Sequence, residues 1–139
     1  MFRFRLFFIL TFFVGCSSAI QKENLNLLNG YWEIVSVEFP DGQKKNYKVN
    51  PSIDYIELNK MQGYKKKMHP KLDGTYDTSN DAESFKIIAK GNIFLISYKN
   101  DLSAWEEQLT KLEKNSFSVV NEDNITYSYR RYEPINIQE

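Results

Sequence analysis

Leu28-Asn29-Gly30-Tyr31-Trp32-Glu33-Ile34-Val35-Ser36-Val37-Glu38-Phe39-Pro40-Asp41-Gly42 reads as one strand and the turn that ends it. Its first part is rich in Tyr, Trp, Ile and Val, residues that fit a pleated, half-buried surface. Pro40-Asp41-Gly42 then stops it with a strong turn signal. The spacing predicts a strand over Tyr31–Phe39.

The same grammar repeats to the end of the chain. Strands are expected over Ser52–Asn59, Gly63–Met68, Gly74–Thr78, Ser84–Ala89, Ile93–Lys99, Ala104–Leu112, Ser116–Asn121 and Ile125–Tyr132. In Ser52–Asn59, Ile53 and Tyr55 share one face, and Ile56 and Leu58 the other. One stretch has a competitor. Glu, Gln, Leu and Lys over Ala104–Lys114 also favour a helix, and Trp105, Leu109 and Leu112 fall at helical spacing. A hairpin across Glu113-Lys114-Asn115 into Phe117-Ser118-Val119-Val120 favours the strand. About nine short strands with tight turns would leave unpaired edges in an open sheet. Closure removes them. The expected fold is all-β, a small up-and-down antiparallel β-barrel whose interior admits side chains or one modest ligand.

Length and composition agree with one such domain. The chain has 139 residues, with 18 Lys+Arg against 18 Asp+Glu. That balance argues against a nucleic-acid binder, which carries a basic excess. One His and one Cys exclude zinc fingers, disulfide scaffolds and Cys/His nucleophile pairs.

Met1–Gly15 reads as a processing segment. Arg3 and Arg5 precede the nine-residue apolar run Leu6–Val14. A spanning helix needs roughly 20 residues, whereas nine suits a signal peptide. The run closes on Phe13-Val14-Gly15-Cys16-Ser17-Ser18, which resembles a bacterial lipobox, with Phe13 where Leu is usual. The resemblance implies a cleaved lipoprotein signal peptide (1–15), lipidation of Cys16 and a membrane anchor. A three-chain anchor, at about 0.8 kcal/mol per buried CH₂, holds a protein on a membrane essentially permanently. Without Arg3 and Arg5, 16 basic and 18 acidic groups remain. Residues 16–26 read as the lipidated end and a polar tether, 27–133 as the barrel and 134–139 as a tail. Ser17 in place of Asp after the Cys implies the outer membrane. Gln21-Lys22-Glu23 holds one acid, which implies a domain facing the periplasm and not the cell surface.

Gly30-Tyr31-Trp32 at the first strand resembles the lipocalin and fatty-acid-binding superfamily. The last strand, Tyr127-Ser128-Tyr129-Arg130-Arg131-Tyr132, carries the arginine which that family places across the Trp. With the lipobox, the chain resembles the small lipocalin-like lipoproteins of Bacteroidetes. A guanidinium stacked on an indole gains roughly 0.5–2 kcal/mol and would tie the first strand to the last. Arg131 is expected inward with Tyr127 and Tyr129, closing the barrel on Trp32. The chain departs from the family in its shortness and in lacking disulfides and an evident C-terminal helix.

Catalytic patterns are absent from the sequence: no Gly-x-Ser-x-Gly, P-loop or His-Glu-x-x-His occurs. Asp41, Asp54, Asp73, Asp77, Asp81, Glu106 and Glu107 are acids without a recognisable constellation. His69 reads as an exposed loop residue, and Met61 and Met68 flank its hairpin. No metal or cofactor is expected. Lys65-Lys66-Lys67, with Lys71, is either a solvated hairpin or a contact for anionic headgroups. Tyr55, Phe85, Phe94, Tyr98, Trp105, Phe117, Tyr127 and Tyr129 either line a pocket for a small hydrophobic ligand or fill a packed core. Two functions follow. One is a non-enzymatic lipoprotein that binds a small apolar molecule. The other is a protein-interaction or envelope-assembly module, of which an immunity role is one case, using loops such as Val49–Ser52 or Thr78–Glu83.

Overall fold

The computed structural model describes residues 19–134; the expected signal peptide, Cys16 and residues 135–139 of the tail lie outside them. A 3₁₀ helix, Lys22–Leu28, precedes nine strands. These are β1 (Gly30–Glu38), β2 (Lys44–Asn46), β3 (Ile53–Asn59), β4 (Gln62–Pro70), β5 (Tyr76–Lys90), β6 (Ile93–Lys99), β7 (Ala104–Leu112), β8 (Ser116–Asn121) and β9 (Thr126–Arg131). Each pairs antiparallel with its neighbour in the order β2-β1-β3-β4-β5-β6-β7-β8-β9, and β1 also pairs with β9. That last ladder closes the ring, with Trp32 opposite Arg131 and Glu38 opposite Thr126. The short β2 stays outside the ring, on the half of β1 beyond its contact with β3. The fold is therefore the small all-β barrel expected, with eight strands in the closed ring and β2 added at its side.

Ala104–Leu112 is strand, its backbone taken up on both sides by β6 and β8. Helical propensity loses there because the outer edges of the two neighbours would otherwise stay unpaired. Three differences concern boundaries. Tyr76–Thr78 of the expected Gly74–Thr78 and all of Ser84–Ala89 belong to one strand, the 15-residue β5, so Thr78–Glu83 is not a loop and Gly74 and Thr75 lie in the turn before it. Residues 77–84 are all exposed, so no apolar period marks them, and pairing with β4 alone keeps them extended. Lys44–Asn46, wholly exposed, is an additional strand. Residues 22–26 of the expected tether belong to the 3₁₀ helix, which buries Leu25 and Leu28. Among the described residues no helix is long and apolar enough to cross a membrane.

The core lies at the end of the barrel where β1 starts. Leu28, Trp32, Ile56, Leu58, Phe85, Ile87, Phe94, Ile96, Leu109 and Phe117 pack there under the helix. Gly63 makes room for it, since a Cβ would meet Glu57 O and the Phe85 ring at 2.1 and 2.9 Å. The other end is open, bounded by the turns after β4, β6 and β8 and by the chain from Phe39 to Ser52. Val49, Leu72 and Leu102, all more than 85% exposed, sit on its loops.

Candidate functional site

The closed end is built on Trp32. Its indole is fully buried, and Nε1 donates to Leu28 O at 2.8 Å, tying the helix to β1. Phe117 meets the ring edge-on at 4.7 Å, and the Arg131 guanidinium lies 4.0 Å from its centroid. Arg131 also donates to three backbone oxygens: Nη1 to Asn29 (2.5 Å), Nη2 to Leu27 (2.9 Å), and Nη2 and Nε to Lys114 (2.8 and 3.2 Å). It thus supplies donors to the last carbonyls of the helix, which have no intrahelical partner. Arg130 turns outward and pairs with Glu33 at 2.6 Å. Gly30 is the condition for this arrangement. Its φ is +119°, and a Cβ would sit 2.5 Å from Arg131 Nη1. The spacing of Gly30 and Trp32 therefore encodes a seat for the guanidinium followed by the ring it covers.

The mouth is different in kind. Asp54 opposes Trp32, Lys65 opposes Ile56 and Glu83, and Glu107 opposes Ile96. Register with these inward residues turns the charged ones into the barrel. Lys65 Nζ lies 3.6 Å from Glu83 and 4.9 Å from the Tyr98 centroid. Burial by itself would lower the Lys65 pKa. Tyr129, Glu107, Asp54 and Glu83 together outweigh it and hold the ammonium above its ordinary value. Burial raises the Glu107 carboxyl, with Glu83 and Asp54 adding to the effect and Lys65 opposing it. Burial likewise raises the phenols of Tyr98 and Tyr129, which stay protonated at neutral pH. Between this cluster and the chain over 47–53 lies a cavity of about 300 Å³. Trp32, Ile34, Ile53, Asp54, Lys67 and Tyr129 line it together with Tyr47, Val49, Asn50, Pro51 and Ser52.

The aromatic residues singled out in the sequence divide accordingly. Phe85, Phe94 and Phe117 are core, and Trp105 stacks on the buried Tyr98 at 5.1 Å. Tyr127 and Tyr129 pack against the core from β9, and Tyr129 also faces the cavity. Tyr55 does not face the lumen. Its neighbours Asp54 and Ile56 are the inward residues of β3, so its ring joins Tyr31 (4.9 Å) and Tyr64 (6.1 Å) on the outer wall. The Lys65–Lys67 run is a solvated hairpin only in part: Lys65 enters the barrel, while the exposed Lys67 reaches Asp54 at 2.8 Å.

Asp54 and Glu107 were visible as isolated acids. Asp54 shares a face with Ile56 and Leu58, and that alternation is the signal that marks it as inward. For Lys65 and Glu107 the register alone decides. His69 is exposed on β4, not in a loop, with Nδ1 3.3 Å from Pro51 O. Among the described residues no three His, Cys, Asp or Glu side chains group closely enough to hold a metal.

The family model of the lipocalin-like domain matches residues 28–119. A solved lipocalin-like protein from Bacteroides uniformis is similar, at 15% identity over 76% of this chain and 99% of that one, with a TM-score of 0.48. Apocrustacyanin C1 is similar at 13% identity over 85% of this chain and 68% of that one, with a TM-score of 0.49. No curated protein matches the sequence.

Proposed function

We propose, from the premise that this chain belongs to the lipocalin-like domain family, that it is a non-enzymatic, lipid-anchored envelope protein holding a small hydrophobic molecule in its barrel. The cavity at the mouth carries this reading. Its volume of about 300 Å³ reaches the lower end of small-molecule pockets, which run from about 300 to 1,000 Å³. Ile34, Tyr47, Val49 and Pro51 give it apolar surface. Both tryptophans of the chain, Trp32 and Trp105, lie at or near the lumen, so they report occupancy. Titrating the full chain with fatty acids, lipids, quinones and haem is expected to give a saturable change in tryptophan emission for at least one class. No saturable change with any of them would sink the reading.

The anchor reading rests on Cys16 and the lipobox-like run before it. Six residues from Cys16 to Lys22 span at most roughly 20 Å. An acyl anchor would therefore hold the closed end near the membrane and leave the mouth facing away from it. An outer-membrane position facing the periplasm accords with Ser17 and the single acid of Gln21-Lys22-Glu23. Cys16→Ser is expected to abolish palmitate labelling and membrane retention; label kept by the variant would refute lipidation. Protease added to intact cells is expected to spare the barrel, and degradation would refute the sidedness.

A second reading draws on the rim. Val49, Leu72 and Leu102 protrude from three loops at the open end, where an envelope protein partner would meet them. Stoichiometric capture from native membranes, lost when all three become Ser, would favour it over the first.

A further inference from the structure

Asp54 is buried to 7% exposure on the wall of the mouth cavity. No hydrogen-bond donor meets its Oδ1 in good geometry. The Lys67 ammonium lies 2.8 Å from that oxygen, and its side chain is 57% exposed. A buried carboxylate is thus paired with a cation whose own side chain reaches solvent. Lys65 is differently placed, already engaged by Glu83 at 3.6 Å and by the Tyr98 ring. Asp54, Glu83 and Glu107 lie near Lys65 and Lys67 at this end, three carboxyl groups to two ammonium groups. A ligand carboxylate would add another anion and strip Asp54 of its counter-ion. A ligand cation would balance the site and complete the coordination of Oδ1.

Resting on the reading of the barrel as a small-molecule holder, we propose that the ligand is an amphiphile with a protonated amine, which replaces Lys67 on Asp54 Oδ1 while its apolar body lies against Ile34, Tyr47 and Val49. Lys67 swings out to solvent as the amine enters. A charge-assisted hydrogen bond from the amine then takes the place of the ion pair of the free protein.

Calorimetric titration of the full chain with octylamine, octan-1-ol and octanoate tests this, since the three share a chain and differ in the head. Octylamine is expected to bind about tenfold tighter than octanol, the scale of one charged hydrogen bond, and octanoate weakest. Asp54→Asn is expected to bring the amine down to the level of the alcohol. Lys67→Met, which leaves Asp54 without its counter-ion and lowers the stability of the free protein, is expected to tighten amine binding severalfold by removing the internal competitor. Octanoate binding as well as octylamine, or an amine-to-alcohol ratio unchanged in Asp54→Asn, overturns the amine assignment. If the alcohol binds and the amine gains nothing, the barrel still holds a ligand and only the head-group inference falls. If none of the three binds, the amine assignment falls, and the tryptophan titration with fatty acids, lipids, quinones and haem decides the holder reading separately.

Discussion

At the closed end Trp32 is fully buried beneath Arg131 and the 3₁₀ helix, while at the mouth Asp54 is buried beside a cavity and Lys65 is partly buried. The two ends treat their polar groups oppositely. Below, the indole N–H and the guanidinium donate to Leu27, Leu28, Asn29 and Lys114 carbonyls. Above, the buried Asp54 carboxylate relies on the exposed Lys67 ammonium at 2.8 Å, and Glu107 sits where burial disfavours its charge. Taking charges out of water is costly even when they are paired, so the mouth is the less stable end. The contrast places stability and binding in different halves of one barrel. It also explains why the closing Trp–Arg pair is structural: its donors are occupied and leave nothing to offer a ligand.

The sharpest way to break the contrast is at its fixed end. Trp32→Ala removes the largest fully buried side chain, the support for Arg131 and the bond to Leu28. A loss of about 3–5 kcal/mol is expected, read as a fall in urea midpoint. A loss below about 1 kcal/mol would show that the closed end does not carry the fold. Gly30→Ala comes next. The added methyl has a positive φ and the Arg131 Nη1 to contend with, so about 1–3 kcal/mol is expected. The double variant with Arg131→Met should cost less than the sum of the two single changes, because each disrupts the same seat. Strict additivity would separate Gly30 from Arg131.

The smallest expected effect sharpens the other end. The Glu107 carboxyl is raised above its ordinary value by burial, then by Glu83 and Asp54. The folded state therefore binds more protons than the unfolded chain between the two pKa values. The resulting stability is complete below the unfolded pKa and is lost as pH rises through the folded one. Glu107→Gln should remove that loss, so the variant gains on the wild type between mildly acidic and neutral pH. Parallel denaturation midpoints for the two proteins across that range would refute it.

Much of the barrel was legible because alternation is a local property. Ile93–Lys99, Ala104–Leu112 and Ser116–Asn121 are strands with the boundaries expected, each bounded by a turn of Gly, Asn, Asp or Lys. Nine strands were expected and nine are present, but two differences cancel: one long β5 replaces two strands, and β2 is added. Exposure on both faces erased the period over residues 77–84, leaving composition that reads as loop. Leu25 and Leu28 were equally quiet, since two apolar residues three apart in a polar segment declare a face only once a barrel end needs covering.

By itself, then, the sequence determined the strand-and-turn rhythm, the Gly30–Trp32 opening and the arginine-bearing last strand, because side-chain period and turn chemistry act within a few residues. Which of three consecutive lysines enters the barrel was decided by the tertiary structure alone. Lys65, Lys66 and Lys67 are identical to any local rule; pairing of Lys65 with Ile56, and the register shift between Lys66 and Met68, send Lys65 inward and Lys67 to Asp54. A one-residue change of register would exchange the faces, and the charged mouth would become outer wall.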